Sequence, residues 1–475
     1  LFPEEPISPE AAIGRFLASL KTPARILVAI SGGSDSTGLL LLLSKALKAT
    51  PDLSISLCAA TVDHALRSES ADEARQVAAL CASLGIPHRI VVWQGEKPKT
   101  GIMAAAREAR YGLLAEAAET LGANLIVTGH TADDQRETLK MQGKRTEQVS
   151  IGIADAVLFD RRFWILRPLL FSTRADIRAF LSARNVSWID DPSNEDLKYE
   201  RVRTRLQLST EAGSEKDTRR DGQARLALAS GGAEWLDRYF RLHGGLLGQV
   251  MPDGLKQDHA VLNYVLGRLT AVFGGQSFVP GTVQMGRLFA FAAGGKPGRM
   301  TIGRVVFDLR RDGLYLARES RGVLPLVLKP GEAGVWDGRF KAKNGSGTTM
   351  RIEARSAHSS VIPVLVAGIE PPRDRAANDF DALDSRGEHR NEGEWAKFLP
   401  KAAWKRALAS APALFAEEPL LFPESVRSVD MTAHFAPFDR FLTRFDFTFA
   451  DRLSAVFSRA PYAEPPLRSI DGKTI

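Results

Sequence analysis

Only two cysteines, Cys58 and Cys81, occur in 475 residues, and each sits in an apolar run. Neither their spacing nor their setting suits a disulfide framework, a thiolate metal site or an iron–sulfur cluster. Both read as small buried hydrophobes, and the expected compartment is the reducing cytoplasm. Long hydrophobic runs are missing too. Nothing approaches the roughly 18 apolar residues of a membrane span, and Leu39 to Leu43 is far shorter. The first residues, Leu1-Phe-Pro-Glu-Glu-Pro6, are acidic and broken by proline, unlike the basic then apolar pattern of a signal peptide. There is no internal repeat and no low-complexity segment, which excludes solenoids. Acidic excess is also lacking: 63 Lys+Arg against 56 Asp+Glu leave a net charge of +7 and favour a polyanionic partner. At this length, with 44% hydrophobic residues, the chain exceeds one core and predicts two or three domains.

What is present is organised around Arg25-Ile-Leu-Val-Ala-Ile-Ser-Gly-Gly-Ser-Asp-Ser-Thr37. Ile26 to Ile30 reads as a strand buried on both faces, and it breaks directly into a turn of small residues. Leu39, Leu40, Leu43 and Leu47 then recur at helical spacing. The turn therefore lies where a strand's carboxyl end meets a helix amino end. Free backbone N–H groups there form an anion cradle, and Gly32 and Gly33 let ligand oxygens approach. No Gly-Lys-Ser/Thr follows, so this is not a Walker loop. Asp35 beside the cradle reads as a magnesium ligand, or more plainly as a partner of the helix dipole. Ser31 to Ser36 resembles the pyrophosphate loop of the PP-loop ATPases, which cleave ATP between its α and β phosphates.

From Ile26 onward strand-like and helix-like segments alternate: Ile55 to Val62, a helix over about 69–84, Arg89 to Trp93, a helix over about 103–121, then Leu125 to Thr128. This order predicts a doubly wound parallel α/β sheet with a crevice at the strands' carboxyl ends. The motifs fall at those ends. Strand two finishes in Thr61-Val62-Asp63-His64 and strand four in Thr128-Gly129-His130. Arg107 and Arg110, three apart on one helix face, could grip phosphate or simply face solvent. Thr131 and Asp134 have capping-box spacing, and Asp133 suits a helix amino end. His130, Asp134 and Glu137 nonetheless share one face that should adjoin Asp35, and paired carboxylates at a phosphate cradle suit a magnesium-dependent adenylation. Residues 141–161 read as a loop, followed by a helix over about 173–183. The basic run Lys198, Arg201, Arg203 and Arg205 is either a solvated face or a phosphate track.

Three domains are expected: a catalytic α/β domain over 1–214, a helical domain over 215–322 ending in a hairpin at Arg311-Asp312-Gly313, and an α+β domain over 323–475. A chain ended near Arg225, if it folds, is accordingly expected to retain ATP binding and lose most affinity for RNA.

Ser31 to Ser36, Val62-Asp63-His64, Ala106 to Tyr111, Gly129 to Thr138, Arg167-Pro168-Leu169-Leu170 and Asp191 to Asn194 with its basic run occur in one order. Together they resemble the bacterial tRNA(Ile)-lysidine synthetases over about the first 205 residues. The resemblance implies adenylation of the wobble cytidine of a minor isoleucine tRNA, followed by attack of L-lysine. It assigns Ser31, Gly32, Gly33, Ser34, Asp35, Ser36, Val62, His64, Gly129 and His130 to ATP, and Asp35 and Asp134 to magnesium. Arg107 and Arg110 go to phosphate charge or the adenylate. Asp133 and Glu137 go to lysine, with His64 or His130 as relays, and Lys144, Arg145, Lys198, Arg201, Arg203 and Arg205 to tRNA. An ammonia-using PP-loop ligase and a non-catalytic RNA-binding protein are the alternatives. A thiolase is disfavoured by the cysteines.

Overall fold

The computed structural model of the chain describes residues 6–65, 69–98, 100–143, 152–190, 200–210, 218–355, 399–416, 429–470 and 473–474. These form two compact units. The first comprises residues 1–224 together with 441–445 and 463–475, and the second comprises 225–440 and 446–462.

The first unit opens with helix α1 (Pro9–Ser19), started by Ser8, whose hydroxyl accepts the Ala11 N–H. Strand β1 (Ala24–Ala29) follows, with Ile26, Leu27 and Val28 fully buried as a central parallel strand requires. Then come α2 (Ser34–Ala49), β2 (Ile55–Asp63), α3 (Ser70–Ser83), β3 (His88–Val92), α4 (Ile102–Thr120), β4 (Leu125–Thr128), α5 (Ala132–Gly143), β5 (Ala156–Phe159), β6 (Phe163–Leu166), α6 (Arg174–Ser182) and α7 (Glu200–Thr210). Strands β6, β4, β1, β2 and β3 lie side by side in that order, all parallel. The chain runs outward from β1 to β3, and α4 then carries it back across one face to β4. Tyr111, Leu114 and Ala118 of α4 pack there with Leu27, Cys58 and Ile126. Since β1 is flanked by β2 and β4, the direction of winding reverses beside it, and the crevice that ligands occupy in such sheets opens at its carboxyl end. Burial pushes the Cys58 thiol up, and the Cys81 thiol up to about 11, consistent with inert core residues.

Two features depart from the sequence reading. The segment taken as a loop over 141–161 contains the last residues of α5 and all of β5, which pairs antiparallel with β6. Its tight turn uses Asp160 and Arg161, both at positive φ (50° and 59°), rather than the Asn-Gly that signals such a turn. The seventh strand of the sheet comes from the far end of the chain. Phe441–Thr443 pairs antiparallel with β5, Phe441 stacks on Tyr111 and Phe159, and Arg444 Nε donates to buried Asp155 at 2.5 Å. Residues 463–468 also return, with Lys21 N donating to Pro466 O and Trp164 Nε1 to Ala463 O. The first unit is therefore not closed at residue 214. A chain ended at Arg225 would bare the edge of β5 and strip a buried carboxylate of its guanidinium, a loss of about 3–5 kcal/mol. Such a chain is expected to be insoluble or to melt at least 10 °C lower, read by circular dichroism, rather than to bind ATP normally.

The second unit corrects the helical domain expected over 215–322. Helices Thr218–Tyr239, His259–Gly274 and Thr282–Ala293 accompany a five-stranded antiparallel sheet. The expected hairpin at Arg311-Asp312-Gly313 joins two of its strands. Residues 326–354, 412–416 and 429–433 add two three-stranded sheets around Trp336, Phe340 and Met350. Within the same unit Asp446 accepts from Tyr264, Arg268 and both Arg225 nitrogens, which holds its carboxyl well below the usual range despite burial. No described helix is long and apolar enough to cross a membrane.

Candidate active site

The loop after β1 orders itself. Ser36 Oγ accepts the Ser31 N–H at 3.1 Å and donates to Gly33 O, while Thr37 Oγ1 donates to Gly32 O. Gly33 is the amino cap of α2, so the loop's remaining N–H groups stand at a helix amino end, where an anion is favoured. Gly129, at the carboxyl end of β4, lies directly on this loop. A Cβ there would sit 2.8 Å from Asp35 C and O and 2.9 Å from Ser36 N, all backbone atoms with no room to give. Gly129→Ala is expected to separate the two loops at a cost of about 1–3 kcal/mol, weakening ATP binding about tenfold or more by calorimetry.

Three carboxylates meet beside the cradle. Asp134 caps its own helix, accepting from Thr131 N at 2.8 Å, and turns its other oxygen outward. Asp35 follows the loop, and Glu137, 2% exposed, stands one turn along α5. The cation between them is Arg174, the first residue of α6, which the sequence reading missed. Its Nε donates to Asp35 at 2.8 Å and its Nη2 to Asp134 at 3.2 Å, and its Nη1 lies 3.9 Å from Glu137. Helices α2 and α6 come close enough to make this contact because Gly38 leaves space for Ile177. One turn further, Arg178 donates to Ser34 Oγ at 3.3 Å. Burial pushes the Asp35 carboxyl up and Arg174 pulls it back, with a net rise. Burial alone would depress Arg174, but Asp35 and Asp134 outweigh it and hold the guanidinium charged. A signal for this residue did exist: a cation at a helix amino end opposes the helix dipole, and such local conflicts mark sites where something else compensates.

The other expected residues fall as follows. Asp133 is engaged structurally, accepting the Arg174 N–H at 2.8 Å and pairing with Arg136 at 2.9 Å. Arg205 of α7, expected on RNA, donates to Glu137 at 2.7 Å. Arg203 is exposed on the same helix. Lys144, Arg145, Lys198 and the side chain of Arg201 lie outside the described residues, as do Asp191 to Asn194. Val62 and His64 end β2. Arg110 donates to His64 Nε2 at 3.3 Å, so the imidazole proton belongs on Nδ1. Burial first, then the charges of Arg110 and Lys97, lower the His64 pKa to about 4, so it is neutral at pH 7. Arg107 lies over the Tyr111 ring, and His130 Nδ1 meets Thr128 Oγ1 at 2.9 Å. Arg167 of the Arg-Pro-Leu-Leu motif is buried and donates to Ala154 O, a structural role.

Asp35 and Asp134 present hard oxygen donors one guanidinium's width apart, beside N–H groups placed for phosphate. No group of three or more acidic, histidine or cysteine residues suited to a metal occurs among the described residues. Two such carboxylates are a donor set of the kind a magnesium ion would accept, the rest of its shell being left to phosphate oxygens and water.

Residues 8–212 match the PP-loop domain family. The chain is 40% identical to the tRNA(Ile)-lysidine synthase of Rhizobium meliloti strain 1021, over 96% of both chains. It is 38% identical to the tRNA(Ile)-lysidine synthase of Mesorhizobium japonicum, over 92% of this chain and 93% of that one. With the tRNA(Ile)-lysidine synthase of Brucella canis the figures are 34%, 92% and 95%.

Proposed function

Because the chain belongs to the tRNA(Ile)-lysidine synthase family, we propose that it adenylates the carbon-2 oxygen of a wobble cytidine in an isoleucine tRNA with ATP. Free lysine then attacks through its ε-amine, releasing AMP. The observation that carries this reading is the meeting of Asp35, Asp134 and Glu137 beside the pyrophosphate cradle.

A urea-like carbonyl is a poor electrophile, so its oxygen must first become a leaving group. Backbone N–H groups of Ser31 to Ser36 are proposed to hold the departing pyrophosphate, and Arg107 and Arg110 to meet its charge or the adenylate. Asp35 and Asp134 would hold a magnesium ion, which would supply further charge neutralisation at the phosphates. Lysine's amine has a pKa of about 10.4 and arrives protonated, so a carboxylate must orient it and take a proton. Glu137, buried beside the cradle and paired with Arg205, is proposed for this role in preference to Asp133, which holds Arg136 and the start of α6. His64, neutral and with its Nδ1–H making no hydrogen bond among the described residues, is proposed to donate to the nucleotide rather than to carry charge.

The basic run is proposed to meet tRNA phosphates. Arg203→Ala is expected to flatten the dependence of tRNA affinity on log salt by about one unit while leaving ATP binding unchanged, measured by filter binding across a salt series.

Labelled lysine offered with ATP and two isoleucine tRNA transcripts, differing only as cytidine or uridine at the wobble position, tests the function. Incorporation into the cytidine transcript alone is expected. Equal labelling of both, or AMP formation driven as well by ammonia as by lysine, would overturn it.

A further inference from the structure

Arg174 sits where the carboxylates would otherwise leave a concentrated negative charge. Its side chain is 20% exposed, against 19% for Asp35, 11% for Asp134 and 2% for Glu137, so solvent screens these charges little. Arg205 pairs with Glu137, which also lies 3.9 Å from Arg174, while Asp35 and Asp134 are hydrogen-bonded to Arg174. The guanidinium spends Nε on one and Nη2 on the other, which a single ammonium could not do with the same geometry. Its position at the start of α6 is unfavourable for a cation, so the acids, not the helix, keep it there. Nothing covalent prevents it from moving to another anion, and the cradle beside it is built to receive one.

Building on the reading of Asp35 and Asp134 as the metal holders, we propose that Arg174 is an internal counter-cation that makes magnesium binding conditional on nucleotide. In the free enzyme it pairs with both carboxylates and offsets one of their two negative charges. A lone divalent ion must then displace a guanidinium whose remaining carboxylate, Glu137 at 3.9 Å, is already paired with Arg205. When ATP enters, its phosphates give the guanidinium a new bidentate partner, and both carboxylates become available. Arg174 is thus a positioning residue that couples two ligands, and it takes no part in bond making.

The test is Mn2+ binding to the full chain, followed by electron paramagnetic resonance with no nucleotide present. Arg174→Gln is expected to bind Mn2+ at least about tenfold more tightly than the unaltered chain, within the usual range of such couplings. Arg174→Lys, which keeps the charge but grips one carboxylate at a time, should fall between them. A merely structural arginine would give weaker or unchanged binding in both variants, and that result overturns the proposal. If Arg174→Gln does not fold, Arg174→Lys alone decides, since it must still exceed the unaltered chain. A separate measurement with a non-hydrolysable ATP analogue isolates the premise: if the unaltered chain and Asp35→Asn bind Mn2+ equally well in its presence, Asp35 is not a metal holder and the assignment beneath the proposal fails.

Discussion

Asp35→Asn and Asp134→Asn are each expected to lower the rate of pyrophosphate release by on the order of 10²- to 10³-fold, with the fold intact. Both side chains lie in the first turns of α2 and α5 beside the cradle, not in the hydrophobic core. Asparagine keeps the shape and one oxygen acceptor, so the Thr131 N–H that Asp134 caps can still be satisfied. Arg174 also keeps two of its three carboxylates in either variant, which limits the loss of stability. What would disappear, if these residues hold the metal as proposed, is a negative oxygen donor for it and with it charge neutralisation at the moment the α–β bond breaks. Single-turnover pyrophosphate assays at saturating magnesium check this. A near-normal rate for either variant would remove that residue from the metal site.

Glu137→Gln separates the two half-reactions. The adenylated tRNA should form at close to the normal rate, while lysine transfer falls by about 10²- to 10⁴-fold, the usual worth of a positioned general base. Glutamine cannot accept the ammonium proton and presents no charge to hold it. The same change leaves Arg205 without its ion pair, so binding of tRNA, which also draws on α7, should be measured in parallel. A trapped adenylate identifies Glu137 with lysine. Equal loss of both half-reactions would place it on the ATP side.

The parts of this site that were legible in the sequence are those whose chemistry is local. The cradle needs only a strand, a few small residues and a helix, and β4 falls at Leu125–Thr128 as its four buried residues predict. The Thr131 to Asp134 spacing gave the cap, and the face shared by Asp134 and Glu137 followed from helical geometry. Arg174 escaped because its partners are 139 and 40 residues away, and nothing in Ser172-Thr173-Arg174-Ala175 declares them. The returning strand Phe441–Thr443 escaped for a similar reason. Three residues carry too little periodicity to signal a strand, and the partner, β5, lies nearly 300 positions earlier behind a turn with unusual residues. Arg205 shows the opposite error: a basic run reads as a uniform phosphate track, yet one member is turned inward onto a buried acid.

The central claim is that the tRNA, not the lysine, is adenylated. Pyrophosphate release measured with enzyme, ATP and isoleucine tRNA but no lysine tests it most directly. The account predicts a burst of about one pyrophosphate per active site that needs no lysine, with AMP appearing only after lysine is added. Pyrophosphate released with lysine in the absence of tRNA, and none with tRNA alone, would contradict it.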